Sequence, residues 1–125
     1  MEKALEFQLK DVKISEEILA KNHPSLATSY NNLSLIYKAL GQMEKALEFQ
    51  LKTVEIFEKI LAKNHPSLAT SYNNIALIYK DLKDYKKAVQ YAQQAVAILQ
   101  HLFPNGHPNL DKAKKNLEII KEEMK

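Results

Sequence analysis

The fold is decided by residues 29–49, which read SYNNLSLIYKALGQMEKALEF, and by a second copy at residues 71–91, which read SYNNIALIYKDLKDYKKAVQY. The two copies lie 42 residues apart, and residues 1–42 align with residues 43–84 without gaps and with 33 identical positions. A repeat at a fixed spacing of this size is typical of stacked structural units. We therefore treat the chain as an array of repeats.

A third copy at residues 85–125 has diverged, but it keeps Ala88, Ile98, His107 and Pro108 in register with the other two. The near-identity of the first two copies indicates either recent duplication or deliberate construction, and the sequence leaves both open.

Each repeat contains two helical patterns, and the first, which we name the B helix, is apolar on two sides. At about 100° per residue, residues 43–62 place two apolar stripes side by side. The stripes consist of Met43, Ala46, Leu47, Leu51, Val54, Phe57 and Leu61, and of Phe49, Ile56 and Ile60. Such an arc is wider than that of an ordinary surface helix, so a B helix must be covered by other elements on two sides.

The second pattern, the A helix, is apolar on one side and rich in asparagine on the other. An Asn-His-Pro motif precedes each of the first two A helices; asparagine tolerates a left-handed helix end, and proline suits a first helical turn. The periodicity predicts helices over about 2–20, 25–40, 43–62, 67–82, 85–103 and 109–124 within one domain, residues 1–125.

The repeated segments resemble the tetratricopeptide repeat. Tyr30, Leu33, Ser34 and Tyr37 follow that family's large–large–small–large order, and Ala46 stands at the alanine position of its next helix. The 42-residue period and the His-Pro before each A helix resemble the longer repeats of kinesin light chains and related bacterial proteins. The resemblance implies an all-α fold, a right-handed α–α superhelix of six antiparallel helices.

The resemblance also implies that the A helices line a concave groove that binds an extended peptide or partner segment. The residues expected on that face are Thr28, Asn31, Asn32, Leu35, Lys38, Thr70, Asn73, Asn74, Leu77, Lys80, Lys112, Lys115 and Asn116. Asparagine amides offer a donor and an acceptor to a peptide backbone, and the lysines would favour acidic residues. In an alternative interpretation, the asparagines bridge adjacent A helices, and Leu35 and Leu77 pack between helices.

The two ends of the array differ in character. The last A helix replaces the Tyr72, Ala76 and Tyr79 positions with Lys114, Glu118 and Lys121, which predicts a C-terminal capping helix. The first B helix has no A helix before it, so Met1, Ala4, Leu5, Val12 and Leu19 are expected to be partly bare. A longer parent array, an engineered assembly or self-association through residues 1–20 would each account for this, and self-association makes a structural assembly module the alternative function.

The sequence favours no enzymatic chemistry and no cofactor. The chain has no cysteine, no apolar run of membrane length and no basic cluster with interleaved aromatics, so metal-thiolate, membrane and nucleic-acid roles are not expected. His23, His65 and His107 each precede a proline at the repeat spacing, and we expect loop roles for them, not metal ligation. The opening residues form an amphipathic helix pattern instead of a signal peptide, so a cytoplasmic protein is expected.

Overall fold

The computed structural model describes residues 2–18 and 24–125, which form six α-helices and no strand. The helices are α1 (Glu2–Ile18), α2 (Pro24–Ala39), α3 (Met43–Ile60), α4 (Pro66–Asp81), α5 (Tyr85–Leu102) and α6 (Pro108–Glu123). The predicted all-α class is confirmed. The chain divides into two compact units, Met1–Ile60 with α1 to α3 and Leu61–Lys125 with α4 to α6.

A histidine caps the start of both A helices in the second unit. The Nδ1 atom of His65 accepts a hydrogen bond from the Ser67 amide, and that of His107 accepts one from the Asn109 amide, both at 3.0 Å. Each helix begins at the proline, one residue earlier than predicted, because proline needs no hydrogen bond at the first helical position. The expected loop role of these two histidines is therefore confirmed, whereas His23 lies outside the described residues.

The turns that follow α2 and α4 share one backbone conformation but not one residue type. Gly41 has a φ of 79° and its repeat counterpart, Lys83, has a φ of 65°. The amides of the next residues, Gln42 and Asp84, each donate to a tyrosine carbonyl five residues back at 2.9 Å, as in a Schellman helix end. Asn64, predicted to adopt the left-handed conformation, is not among the residues with positive φ in the described ranges. That prediction is wrong because α3 has already ended at Ile60, several residues before Asn64.

We expect Lys83→Gly to raise the free energy of unfolding by roughly 0.5–1 kcal/mol. A left-handed conformation costs an L-residue about 1–2 kcal/mol, and the greater unfolded-state entropy of glycine offsets only part of this gain. Chemical denaturation measures the effect. Gly41→Ala is the matched control. A Cβ at Gly41 meets no atom within 4 Å, so the stability lost by this variant measures only the cost of the left-handed backbone conformation. Equal stabilities for Lys83→Gly and the parent chain would contradict the inferred backbone strain at Lys83.

In the first unit, an aromatic cluster joins α2 to α3. The ring centroids of Tyr30 and Tyr37 each lie 5.8 Å from that of Phe49. Between the two tyrosines, the Ser34 hydroxyl donates to the Ala46 carbonyl at 2.7 Å, and both residues are fully buried. The small residues let the two helices approach closely, while the aromatic rings fill the space on either side.

The second unit repeats this arrangement with different residues. The rings of Tyr72 and Tyr79 lie 5.9 Å and 5.8 Å from that of Tyr91. Ala76 and Ala88 belong to one buried cluster, fully excluded from solvent, at the positions of Ser34 and Ala46. The four A-helix tyrosines are therefore packing residues.

Two polar contacts link α1 to α2. The Gln8 side-chain amide donates to the Ser29 carbonyl at 3.2 Å, and the Tyr30 hydroxyl donates to the Glu16 carboxylate at 2.5 Å. Burial, together with the hydrogen bond and the negative charge of Glu16, raises the pKa of Tyr30 above its ordinary value. The phenol therefore stays protonated at neutral pH and keeps donating to Glu16.

Candidate functional site

A hollow of about 230 Å³ lies within the second unit, between the polar face of α4, the end of α5 and the start of α6. Its lining consists of Pro66, Ala69, Thr70, Asn73, Asn74, Leu99, Phe103, Asn109, Lys112 and Ala113. Four of these residues, Thr70, Asn73, Asn74 and Lys112, belong to the predicted peptide-binding face. The structure thus brings part of that predicted set together around one concave surface.

The floor of the hollow is apolar. Leu99, Ala69 and Ala113 are buried, and Phe103 is half-buried with its ring stacked on that of His107 at a centroid distance of 4.0 Å. Sequence reasoning missed Phe103, Leu99 and Asn109. The signal available for Phe103 was its place directly before the punctuation Pro104-Asn105-Gly106, where a helix end turns its last side chain toward the next helix.

Two polar contacts link α4 to α6 and change the roles expected of their residues. The Asn116 amide donates to the Asn73 side-chain oxygen at 3.3 Å. The Lys80 ammonium lies 3.5 Å from the Glu123 carboxylate, with the lysine side chain only 23% exposed. For Asn73 and Asn116, the alternative interpretation as bridges between A helices therefore holds, and Lys80 is not a free cation for a ligand.

The groups at the rim that keep their full binding capacity are Asn74 and Lys112. Within the described ranges neither side chain has a hydrogen-bond or ion-pair partner, and Lys112 is exposed while Asn74 is half-buried. The Thr70 hydroxyl already donates to the Pro66 carbonyl at 3.3 Å, so it offers an acceptor only. Lys115 is exposed on α6, and Leu77 is half-buried.

The equivalent face in the first unit is the polar side of α2. Thr28 and Asn32 are exposed there, Asn31 and Lys38 are half-buried, and Leu35 is 45% exposed. The Thr28 hydroxyl donates to the Pro24 carbonyl at 3.2 Å, as its counterpart Thr70 does in α4. Leu35 is thus presented to solvent instead of packing between helices.

The residues predicted to be bare on the first B helix divide into three groups. Ala4 is exposed and Leu5 is half-buried, while Met1 and Leu19 lie outside the described residues. The prediction that Val12 is partly bare is wrong: it is 5% exposed, because α1 turns this side toward α2.

Instead Phe7, Leu9 and Ile14 are the large apolar residues of α1 that are exposed, at 68%, 40% and 53%. Self-association through this helix stays a prediction.

Metal binding and membrane insertion were also considered for the part of the chain that the structure describes. That part contains no group of three or more His, Cys, Asp or Glu side chains placed to share a metal ion. None of its helices is both long enough and apolar enough to cross a membrane.

A tetratricopeptide repeat family model matches the chain over residues 1–59 and again over residues 31–101. The chain has no match among curated protein sequences.

Solved structures with similar folds include repeats related to kinesin light chains. The chain is similar to the nearly identical TPR-like repeats of a candidate kinesin light chain from Podosopora anserina, with 29% identity and a TM-score of 0.89 over 95% of this chain and 56% of that one. A single-residue variant of that protein matches equally well. BtubC (BKLC) from P. vanneervenii matches with 28% identity and a TM-score of 0.89 over 97% of this chain and 48% of that one. The chain thus spans about half the length of these proteins.

Proposed function

Because the chain belongs to the tetratricopeptide repeat family, whose fold is generally a protein-interaction module and typically non-enzymatic, we propose that it binds an extended segment of a partner protein in the hollow between α4 and α6. The observation that carries this proposal is the combination of an apolar floor with an unpaired amide and an unpaired cation at the rim. Binding sites are commonly apolar concavities with a few polar groups that fix orientation.

The floor supports recognition of one apolar side chain. Phe103 and Leu99 would cover that side chain from below, and Ala69 and Ala113 leave the room that larger residues would fill. A volume of about 230 Å³ suits a single side chain with its adjoining backbone, not a compact domain. An extended segment fits this space because it can insert one side chain into the hollow while its backbone continues along the surface.

The rim supports contact with the ligand backbone and with an acidic residue. Asn74 can donate to a peptide carbonyl and accept from a peptide amide. Lys112 provides the positive charge, and Lys115 adds a second on the same helix. Since Lys80 is already paired with Glu123, the preference for an acidic ligand residue rests on Lys112 and Lys115.

The face of α2 supports a second contact of the same kind. Asn32 and Leu35 are exposed there with the same residue types as α4 offers in the other unit. A partner that carries two such segments would use these residues in addition to the hollow, which would raise the overall affinity.

Peptides selected from a random phage-displayed library on the full chain would test the proposal. We expect the selected sequences to pair an apolar residue with nearby acidic residues. Asn74→Ala should weaken their binding about fivefold in fluorescence anisotropy, the effect of losing one hydrogen bond. Lys112→Glu should remove the preference for acidic peptides, because it reverses the charge at the rim.

Asn64→Ala serves as the matched control, since Asn64 is an exposed loop asparagine that does not line the hollow. If the selected peptides bind the Asn74→Ala, Lys112→Glu and Asn64→Ala variants as tightly as the parent chain, the hollow is not the binding site.

A further inference from the structure

The loop that joins α5 to α6 contains an asparagine followed directly by a glycine, at Asn105 and Gly106. We propose that Asn105 is a site of spontaneous deamidation, and that its isoaspartyl product removes one wall of the neighbouring hollow. Deamidation depends only on this loop, whereas its effect on ligand binding rests on the proposed function. The reaction needs no enzyme, because the attacking group is the backbone of the chain itself.

Asn105 differs from every other asparagine of the chain in the residue that follows it. The other eight asparagines precede histidine, asparagine, leucine or isoleucine. Glycine has no Cβ, so the amide nitrogen of Gly106 can approach the side-chain carbonyl carbon of Asn105 without a steric barrier. The side chains that follow the other asparagines obstruct the same approach.

The structure leaves room for this approach. Asn105 and Gly106 are both exposed, and an atom added at the Cβ position of Gly106 would meet nothing within 4 Å. Gly106 has a φ of 100°, a value that other L-residues avoid. The Asn105 side chain has no hydrogen-bond partner within the described ranges, so no contact holds its amide away from the backbone.

One backbone hydrogen bond must open before the reaction can occur. The Gly106 amide donates to the Phe103 carbonyl at 3.0 Å, as in a β-turn with proline at its second position. A hydrogen bond of this kind contributes little net stability where water can replace it. The asparagines of α2 and α4 are better protected, because the amide that follows each of them lies within a helix and is held by the regular helical hydrogen bonds.

The reaction exchanges ammonia for water and needs no oxidant or reductant. The Gly106 nitrogen gives its proton to hydroxide and forms a bond to Cγ of Asn105. The Cγ–Nδ2 bond breaks, and the leaving nitrogen takes up a proton and departs as ammonia. Water then opens the succinimide ring at either carbonyl. Cleavage of the new bond to Cγ gives aspartate, whereas cleavage of the original peptide bond gives isoaspartate, in which the main chain runs through Cγ.

Isoaspartate adds one carbon atom to the main chain between Phe103 and His107. The rings of these two residues are stacked at a centroid distance of 4.0 Å, and the His107 Nδ1 atom accepts a hydrogen bond from the Asn109 amide at 3.0 Å. Phe103 and Asn109 both line the hollow. We expect the longer loop to separate the two rings and to draw His107 away from the Asn109 amide, which opens the hollow at the start of α6.

The aspartyl product should have no such effect. It keeps the length of the main chain, and its negative charge lies close to the N-terminus of α6, where the helix dipole favours it. The two products therefore separate the consequence of a longer loop from the consequence of a new charge.

Incubation of the full chain in mildly alkaline buffer, followed by mass spectrometry of its tryptic peptides, tests the site. We expect Asn105 to lose its amide about tenfold faster than Asn64 or more, because the glycine lowers the barrier to ring closure. Asn64 is the internal control, since it is also an exposed loop asparagine but precedes His65. Asn105→Gln is the matched variant and should keep its amide, because its longer side chain would have to form a larger ring. Equal rates at Asn105 and Asn64 would overturn the proposal.

The deamidated chain, separated from the fresh chain by ion exchange, tests the effect on the hollow. Labelling by an isoaspartyl methyltransferase measures its isoaspartate content, and Asn105→Asp supplies the aspartyl product alone. In the isoaspartyl chain we expect hydrogen exchange of the Asn109 amide to be about fivefold faster, the effect of losing one hydrogen bond. The peptides selected on the parent chain should bind about fivefold more weakly, as for a lost apolar contact. Asn105→Asp should match the parent chain in both measurements.

Unchanged exchange of the Asn109 amide in the isoaspartyl chain would overturn the proposed change in the loop. Faster exchange with unchanged peptide binding would support the change in the loop and contradict the hollow as the binding site. Failure of this inference is therefore distinguishable from failure of the proposed function.

Discussion

Leu33→Ala is expected to lower the free energy of unfolding by about 3 kcal/mol, within the range of about 2–5 kcal/mol for buried leucine truncations. Leu33 is fully buried in α2 and is among the largest side chains excluded from solvent. Because Tyr30 and Tyr37 on the same helix are held against Phe49, the surrounding side chains can relax little into the space. The truncation therefore loses both apolar contact and packing density.

Leu35→Ala is the matched control, because Leu35 lies two residues later on the same helix and is 45% exposed. We expect its loss to stay below about 1 kcal/mol, as is usual for a surface substitution. Chemical denaturation of both variants under one condition gives the comparison. Similar losses for the two leucines would contradict the assignment of the two faces of α2.

The positions of Leu33 and Leu35 show which part of the fold the sequence could predict. Periodicity alone places Leu33 with Tyr30 and Tyr37 on one side of a helix and Leu35 on the opposite side. The Asn-His-Pro motifs likewise marked where helices begin, because the capping chemistry is local. Burial that depends on one helix's own pattern is therefore readable from one sequence.

The exposed face of α1 shows what could not be predicted from the pattern of a single helix. The B-helix pattern has two apolar stripes, and nothing within the helix says which stripe its own neighbour covers. The prediction selected Val12, whereas the structure buries Val12 against α2 and leaves Phe7 and Ile14 exposed. The geometry of the helix pair decides the question, and the same residues in α3 could have indicated it, because Phe49 and Ile56 were recognised as a separate stripe.

The asparagines show a second limit. Asn31 and Asn73 are identical in type and in sequence neighbours, yet Asn73 accepts a hydrogen bond from Asn116. That bond exists because α6 lies beside α4 in the second unit, a relation between elements 43 residues apart in the chain. Repeat symmetry predicts the residue type at a position, but the diverged third copy determines what that residue contacts.

Ala88→Leu is expected to lower the free energy of unfolding by about 1–3 kcal/mol, the usual cost of overpacking. Ala88 is fully buried in α5, in one cluster with Ala76, Ala92 and Ile120. A leucine there adds three carbon atoms to a fully buried cluster that contains residues of both α4 and α5. The helices must then separate, which also pulls Tyr72 and Tyr79 away from Tyr91.

Ala97→Leu on the same helix provides the control, because Ala97 is exposed and its change should stay within about 0.5 kcal/mol. Chemical denaturation gives the two stabilities, and near-ultraviolet circular dichroism follows the tyrosine cluster. If Ala88→Leu matched Ala97→Leu in both measurements, close approach at the small positions would not hold the pair together.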